Sequence, residues 1–205
     1  MTAAEFRRET GVSRETLARL EAHLALLRAW QPRINLVGEA TLDDPWRRHM
    51  LDSAQLLDLA PARSEGPARR WVDLGSGAGF PGMVLAILGA GEVHLVESDR
   101  RKAAFLAESA RRTGARATIH NRRAEELDPF AADVVTARAL APLARLLALA
   151  WPFIAQHTVC LFPKGRNVEK ELTEARKNWT MSVEYLASRS DPSGTILRLR
   201  RVANA

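Results

Sequence analysis

Asp73-Leu74-Gly75-Ser76-Gly77-Ala78-Gly79-Phe80-Pro81-Gly82 places four glycines within eight positions, directly behind the apolar pair Trp71-Val72. A buried strand that runs into such a loop brings bare backbone amides against a ligand, because glycine has no Cβ to hold the ligand off. Proline at 81 suits the first turn of a helix, and Met83 to Leu88 supply the apolar helix that follows. Outward from this loop, short apolar strands are expected near 70–74, 93–97, 117–121, 133–137 and 158–162. Helices are expected over about 82–89, 99–113, 141–151 and 167–178. That alternation describes a parallel sheet covered on both faces. The chain ends differently, with Ser182 to Ala187 and Thr195 to Arg201 joined through Asp191-Pro192-Ser193-Gly194 as a hairpin.

Two ligand classes fit the loop. Gly77-x-Gly79-x-x-Gly82, with Glu97 at the distance of a ribose-binding acid, matches a dinucleotide fingerprint. Asp73 two residues before the first glycine gives D-x-G-x-G-x-G, which favours S-adenosylmethionine. The closing hairpin favours it too, since a seven-stranded sheet with a final antiparallel strand is the usual plan of methyltransferases. A nicotinamide-dependent oxidoreductase would need a catalytic segment, and the only tyrosine, Tyr185, is followed at the fourth place by Arg189 rather than lysine.

The 205 residues, 46% of them hydrophobic, suffice for one substantial core and leave little room for a second catalytic domain. Thirty Lys plus Arg against 24 Asp plus Glu leave a formal charge of +6, mostly arginine, which suits an anionic partner such as RNA or a solvated helix surface. Cys160 is the only cysteine, so neither an intrachain disulfide nor a cysteine-based zinc cluster can form, and a reducing cytoplasm is expected. Met1 to Glu9 lack a signal-peptide core, and Arg145 and Pro152 interrupt the apolar stretch around 146–155 well short of a membrane span.

Ahead of the loop, Ser13 reads as a helix cap, and Leu17, Leu20, Leu24 and Leu27 fall on one helical face that Trp30-Gln31-Pro32 terminates. Asn35 to Gly38 reads as a loop, and Asp43-Asp44-Pro45 starts a second helix to about Leu59. Pro61 to Pro67 reads as a linker. The expected organisation is a helical extension over 1–66, packed on a core over 67–205.

Seven stretches in order now carry a resemblance: Asn35-Leu36, Arg48-His49-x-x-Asp52-Ser53, the loop from Asp73 to Gly82, Glu97-Ser98, Arg123-Ala124-Glu125-Glu126, Arg138-Ala139 and Lys164-Gly165. Together they resemble the ribosomal RNA small subunit methyltransferase G family, also called glucose-inhibited division protein B, over nearly the whole chain. The resemblance implies an α/β, Rossmann-like class I S-adenosylmethionine-dependent methyltransferase with a seven-stranded, mostly parallel sheet. It implies methyl transfer to N7 of guanine 527 in the 530 loop of 16S ribosomal RNA, with S-adenosylhomocysteine as co-product. The implied partner is 16S RNA or a small-subunit particle, with no membrane and no metal, and a monomer is expected.

By the same resemblance, Gly75, Gly77, Phe80, Glu97, Ser98, Ala124, Glu125 and Arg138 form the cofactor site. A carboxylate such as Glu97 has the lone pairs to accept from both ribose hydroxyls. The plain alternatives are a strand-end acid at Glu97, a helix cap at Ser98-Asp99, a surface turn at Ala124-Glu125 and a packing residue at Phe80. Arg138, at the carboxyl edge of the sheet, is expected to meet an anion. Guanine N7 has a lone pair and no proton, so its methylation needs no general base and positioning dominates. Arg138 and Lys164 are the candidates for that work, and Arg138 should not make the common arginine pair to N7 and O6, because N7 must stay free. Lys164, Arg123 and His49 are the candidate substrate contacts. Lys164 can equally belong to a plain loop, and His49, with Asp52 and Ser53, is read rather as pinning the N-terminal helices to the core. Arg47-Arg48, Arg100-Arg101-Lys102, Arg111-Arg112 and Arg122-Arg123 are further candidate RNA contacts. After Ala137 no N-P-P-Y or D-P-P-Y run follows, Cys160 lies in an apolar strand, and neither a metal-ligand spacing nor a catalytic triad is evident. A non-catalytic RNA-binding protein on the same fold is the remaining alternative.

Overall fold

The loop at 75–82 follows the strand Arg70–Leu74 (β1), which lies in the middle of the sheet in a computed structural model that describes residues 1–61 and 68–205. The other parallel strands are Glu92–Val96 (β2), Ala117–His120 (β3), Val134–Ala137 (β4) and Val159–Lys164 (β5), and the chain closes with Trp179–Ala187 (β6) and Thr195–Asn204 (β7). Among the described residues they form one sheet in the order β3-β2-β1-β4-β5-β7-β6. β1 pairs parallel with both β2 and β4, while β7 runs antiparallel to β5 and β6. The strand order therefore reverses between β1 and β4, the place where open α/β sheets bind ligands beyond their carboxyl ends.

Alternation along β1 sorts side chains between two cores. Trp71 joins an apolar cluster with Val93, Leu95, Val134 and Leu161, and Val72 and Leu74 join a second with Val135, Cys160, Phe162 and Leu197. The second cluster is covered by helices Leu143–Ala150 and Val168–Ala175. The first is covered by Gly82–Ile87 and Arg100–Thr113 together with the N-terminal helices, whose Phe6, Leu20, Leu24, Leu27, Met50 and Leu51 belong to the same cluster as the sheet. The helices are Ala3–Thr10 (α1), Arg14–Trp30 (α2), Asp52–Leu59 (α3), Gly82–Ile87 (α4), Arg100–Thr113 (α5), Leu143–Ala150 (α6) and Val168–Ala175 (α7). A π-helical turn over Trp46–Leu51 leads into α3. The linker at 61–67 and the division at 66/67 fall largely on residues outside the described ones.

Several local expectations need adjustment. α1 was not foreseen, although Thr2 and Glu5 form a reciprocal capping box that starts it. α7 stops at Ala175, short of 178, and α6 spans only Leu143–Ala150, followed by a 3-10 turn over Trp151–Phe153. The final hairpin is longer than its apolar stretches suggested, pairing Trp179 with Asn204 at its far end. Among the described residues, no helix is long and apolar enough to cross a membrane.

Candidate active site

The loop between β1 and α4 is built from its own motif residues. Gly75 has φ +64°, and a Cβ there would meet Leu140 Cδ1 at 2.5 Å, so both conformation and space call for glycine. At Gly82 the demand is purely steric, because a Cβ would run into Leu95 and would lie 2.6 Å from Asp73 Oδ2. Asp73 itself faces inward: Oδ2 accepts from the Gly82 N–H at 3.1 Å, and Oδ1 accepts from Thr136 Oγ at 2.9 Å. Asp73 thus ties the strand end to the first turn of α4 and braces the loop from beneath. Burial pushes its carboxyl up to about 6, against the lowering by hydrogen bonds from Thr136, Ser76 and Gly82 and by the charge of Arg138.

Glu97, just past β2, braces the loop from the other side. Its Oε2 accepts from the Gly77 N–H at 2.8 Å and its Oε1 from the Asp99 N–H at 2.8 Å. A carboxylate has about four acceptor positions, so each oxygen retains one for a ligand hydroxyl. Asp99, not Ser98, caps α5, accepting from the Arg101 and Lys102 amides. Ser98 is exposed and presents its carbonyl to Asn121.

A cleft of about 760 Å³ opens over the loop at the reversal of strand order. Gly75, Gly77 and Phe80 line it, together with His49, Arg138, Lys164 and Glu171. The guanidinium of Arg138 donates to Asp52 Oδ2 and to the Arg48 carbonyl at 3.0 Å each, donates to His49 Nδ1 at 2.9 Å, and lies 5.2 Å over the Phe80 ring. The anion that Arg138 meets is therefore Asp52 of this chain, fixed in turn by Ser190 Oγ at 2.6 Å. His49 stacks on Phe80 with ring centroids 4.5 Å apart. Since its Nδ1 accepts from Arg138, its Nε2 carries the proton and donates to Thr41 Oγ at 2.8 Å. Burial, then the charges of Arg138 and Arg48, hold this imidazole neutral, with its pKa down to about 3. With its hydroxyl Ser53 binds the His49 carbonyl.

Lys164, at the end of β5, turns inward. Its ammonium donates to Glu171 Oε2 at 2.7 Å and to the Ala141 carbonyl at 3.2 Å, and only 9% of the side chain is exposed. Of the remaining sequence candidates, Ala124 is buried at the start of a 3-10 turn, Glu125 is ion-paired with Arg145, and Arg123 is exposed. These three, with Glu97 and Ser98, are not in the cleft wall but beyond the carboxyl ends of β2 and β3, joined to it through Glu97 and Gly77. Among the basic pairs, Arg111 and Arg112 are held by Glu108 and Arg47 by Asp44, while Lys102 and Arg48, the latter paired with Asp191, line the cleft. Cys160 is fully buried, its thiol pushed up to about 12. Tyr185 is exposed on β6, bonded to Glu169 and outside the cleft wall. No group of three or more His, Cys, Asp or Glu placed to hold a metal occurs among the described residues.

Three features escaped the sequence reading. His23 of α2 is fully buried beside the glycine loop, with Nδ1 2.7 Å from Ser109 Oγ and its ring edge-on to Phe80. Its Nε2 has no hydrogen-bond partner among the described residues, and desolvation lowers its pKa to about 4 against the opposing effect of the Ala78 backbone. Ala139 is left-handed at φ 53°, which is costly for a residue with a Cβ, and it carries Leu140 over Gly75. Glu171 enters the cleft from the first turn of α7, a position where sequence alone reads only complementarity to the helix dipole.

Comparison with known proteins places this geometry in context. The family model described as rRNA small subunit methyltransferase G (GidB) matches residues 16–191. A Rhodospirillum rubrum protein named ribosomal RNA small subunit methyltransferase G is 60% identical over 205 residues, covering 100% of both chains. The protein of that name from Rhodospirillum centenum is 61% identical over 201 residues, covering 98% of this chain and 91% of its own. Among solved structures, a variant of MtNAS crystallised with S-adenosylmethionine aligns with a TM-score of 0.58 at 16% identity, covering 97% of this chain and 77% of that one. A ribosomal protein L11 methylase from Lactobacillus delbrueckii aligns with a TM-score of 0.55 at 18% identity, covering 73% and 78%. These structural likenesses speak for the Rossmann-like methyltransferase fold.

Proposed function

The chain belongs to the rRNA small subunit methyltransferase G family, and from that premise we propose that it transfers a methyl group from S-adenosylmethionine to N7 of a guanine, position 527 in the 530 loop of 16S ribosomal RNA. The observation that carries this reading is the glycine loop at the reversal of strand order, braced by Glu97 through the Gly77 N–H and opening on a cleft edged by cations.

The residues present suit the cofactor. Each Glu97 oxygen has an acceptor position left for a ribose hydroxyl. The loop from Gly75 to Ala78 forms one wall of the cleft, and Lys102 offers positive charge to a carboxylate. When bound, S-adenosylmethionine supplies an electrophilic sulfonium methyl. Ser98, Ala124 and Glu125, beyond the carboxyl ends of the neighbouring strands, are assigned to the nucleoside end, and Phe80 to packing between the cofactor and His49.

Guanine N7 offers a lone pair and carries no proton, so nothing in the cleft has to remove one. The side chains agree with that requirement. His49 is neutral with both ring nitrogens occupied, and Asp52 is neutralised by Arg138. Arg138, held by three groups of this chain, is not released to grip N7 and O6, and we assign it to positioning Phe80 and His49 at the cofactor. What the chain contributes is alignment, which is worth many powers of ten when reacting atoms are held in line. Arg123 and Arg48 are assigned to RNA phosphates, and the cytoplasm, where small-subunit particles assemble, is the proposed location. The test is transfer of labelled methyl from S-adenosylmethionine into small-subunit particles and free 16S RNA lacking the modification, with the product nucleotide mapped. Label in 7-methylguanine at one 16S position is expected; label elsewhere, or none, rejects the reading.

A further inference from the structure

The pair formed by Lys164 and Glu171 has a property that a phosphate-gripping lysine would not need. The ammonium is turned into the cleft and nearly covered, so it is poorly placed to follow an RNA backbone running over the surface. Glu171 Oε2 is saturated, accepting from Lys164 at 2.7 Å and from the Leu143 N–H at the start of α6 at 2.8 Å. Oε1 has no hydrogen-bond partner among the described residues, and Lys164, with two of its three protons placed on Glu171 and Ala141, has one left. The cleft wall thus shows one fixed donor beside one fixed acceptor, with the same carboxylate bridging them.

We propose that Lys164 and Glu171 read the Watson–Crick edge of the target guanine, Lys164 donating to O6 and Glu171 Oε1 accepting from N1–H. This rests on the guanine-N7 reading above and adds to it the means by which the base is chosen. Guanine carries an acceptor at O6 next to a donor at N1, the complement of the donor and acceptor in the wall, and N7 on the other edge stays free. Adenine carries the inverse pair, an amine donor beside a bare N1, so it would set donor against donor and acceptor against acceptor. A site built to satisfy such groups rejects a base that lacks them far more strongly than an apolar pocket can.

In Glu171→Gln the amide oxygen must take the place of Oε2, because Lys164 and the Leu143 N–H both require an acceptor there. The amide NH2 then replaces Oε1 and faces the cleft as a donor. The test measures kcat/KM on particles carrying guanine or 2-aminopurine at the target position; the analogue keeps N7 but lacks O6 and has a bare N1. The wild-type protein is expected to prefer guanine by roughly 100-fold or more. Glu171→Gln is expected to lose at least about tenfold on guanine, little on 2-aminopurine, and nothing in affinity for S-adenosylmethionine. An equal loss on both bases, which a purely structural role would give, overturns the proposal, as does wild-type parity between the bases, a result that stands even if the variant does not fold. If the wild-type protein methylates no guanine N7 at all, the functional reading itself fails and this proposal falls with it.

Discussion

Gly82 and Asp73 show how tightly single residues set the cleft. The Gly82 N–H is bonded to Asp73 Oδ2, and the space a Cβ would need is filled by Leu95 and Asp73. Gly82→Ala should therefore cost about 1–3 kcal/mol of stability, as overpacking of a dense core does, read as a lower denaturation midpoint at unchanged slope. Asp73 was legible in the sequence as part of a glycine motif and as a hint to the ligand class. Its inward orientation was not legible, because that depends on Thr136, 63 positions away on β4. The same holds for Arg138. Its position at a sheet edge foretold an anionic partner, but the partner, Asp52, lies 86 positions earlier and only the folded chain brings it near. Asp52→Asn removes the charge opposite a guanidinium that is four-fifths buried. A loss of about 3 kcal/mol in stability is expected, together with weakened methyl transfer.

The elements most legible from sequence were those whose pattern is local. The strands β1, β4 and β5 are short apolar runs, and α2 and α5 carry side-chain caps at Ser13 and Asp99. α1 escaped because its mean composition is polar and only Phe6 is buried, so the capping box was its sole signal. α2 was read correctly as a helix, yet its most consequential residue, His23, lies among leucines and gave no sign of docking under the glycine loop. That contact predicts acid lability. An ordinary histidine near 6.5 takes up a proton in the unfolded chain, whereas buried His23 resists until about 4, so stability is lost as pH falls from about 6.5 towards 4. Asp73 acts in the opposite sense: held near 6 against an ordinary 3.8, it is protonated first in the folded chain, and its contribution rises as pH falls over 6 to 4. His49, lowered to about 3, adds to the acid loss and Asp73 offsets part of it, so the comparison must be with a variant. Relative to His23→Gln, the wild-type protein should lose about 2 kcal/mol between pH 7.5 and pH 5 in urea titrations. Parallel stability curves would remove His23 from this role.

Taken as a whole, the molecule joins a helical N-terminal part to the sheet through one apolar core, and the same join forms part of the cleft wall, where Arg138, His49 and Asp52 meet near Phe80. Of the arginines behind the overall charge of +6, Arg47, Arg111 and Arg112 are held in ion pairs by near neighbours in sequence. Arg123 is exposed near the cofactor-side strand ends, and its replacement by alanine should weaken RNA binding and reduce the salt slope of binding by about 1, with cofactor affinity unchanged. An unaltered slope would place RNA elsewhere on the surface.

We propose that the loop, Glu97 and the cleft together hold a sulfonium nucleoside. Calorimetric titration of the wild-type protein and of Glu97→Ala with S-adenosylmethionine and with NAD tests this in one measurement. S-adenosylmethionine should bind the wild-type protein, bind the variant about 10- to 100-fold more weakly, as loss of charge-assisted hydrogen bonds implies, and NAD should bind neither. Binding of NAD in its place, or equal affinity of both proteins for S-adenosylmethionine, would contradict the assignment.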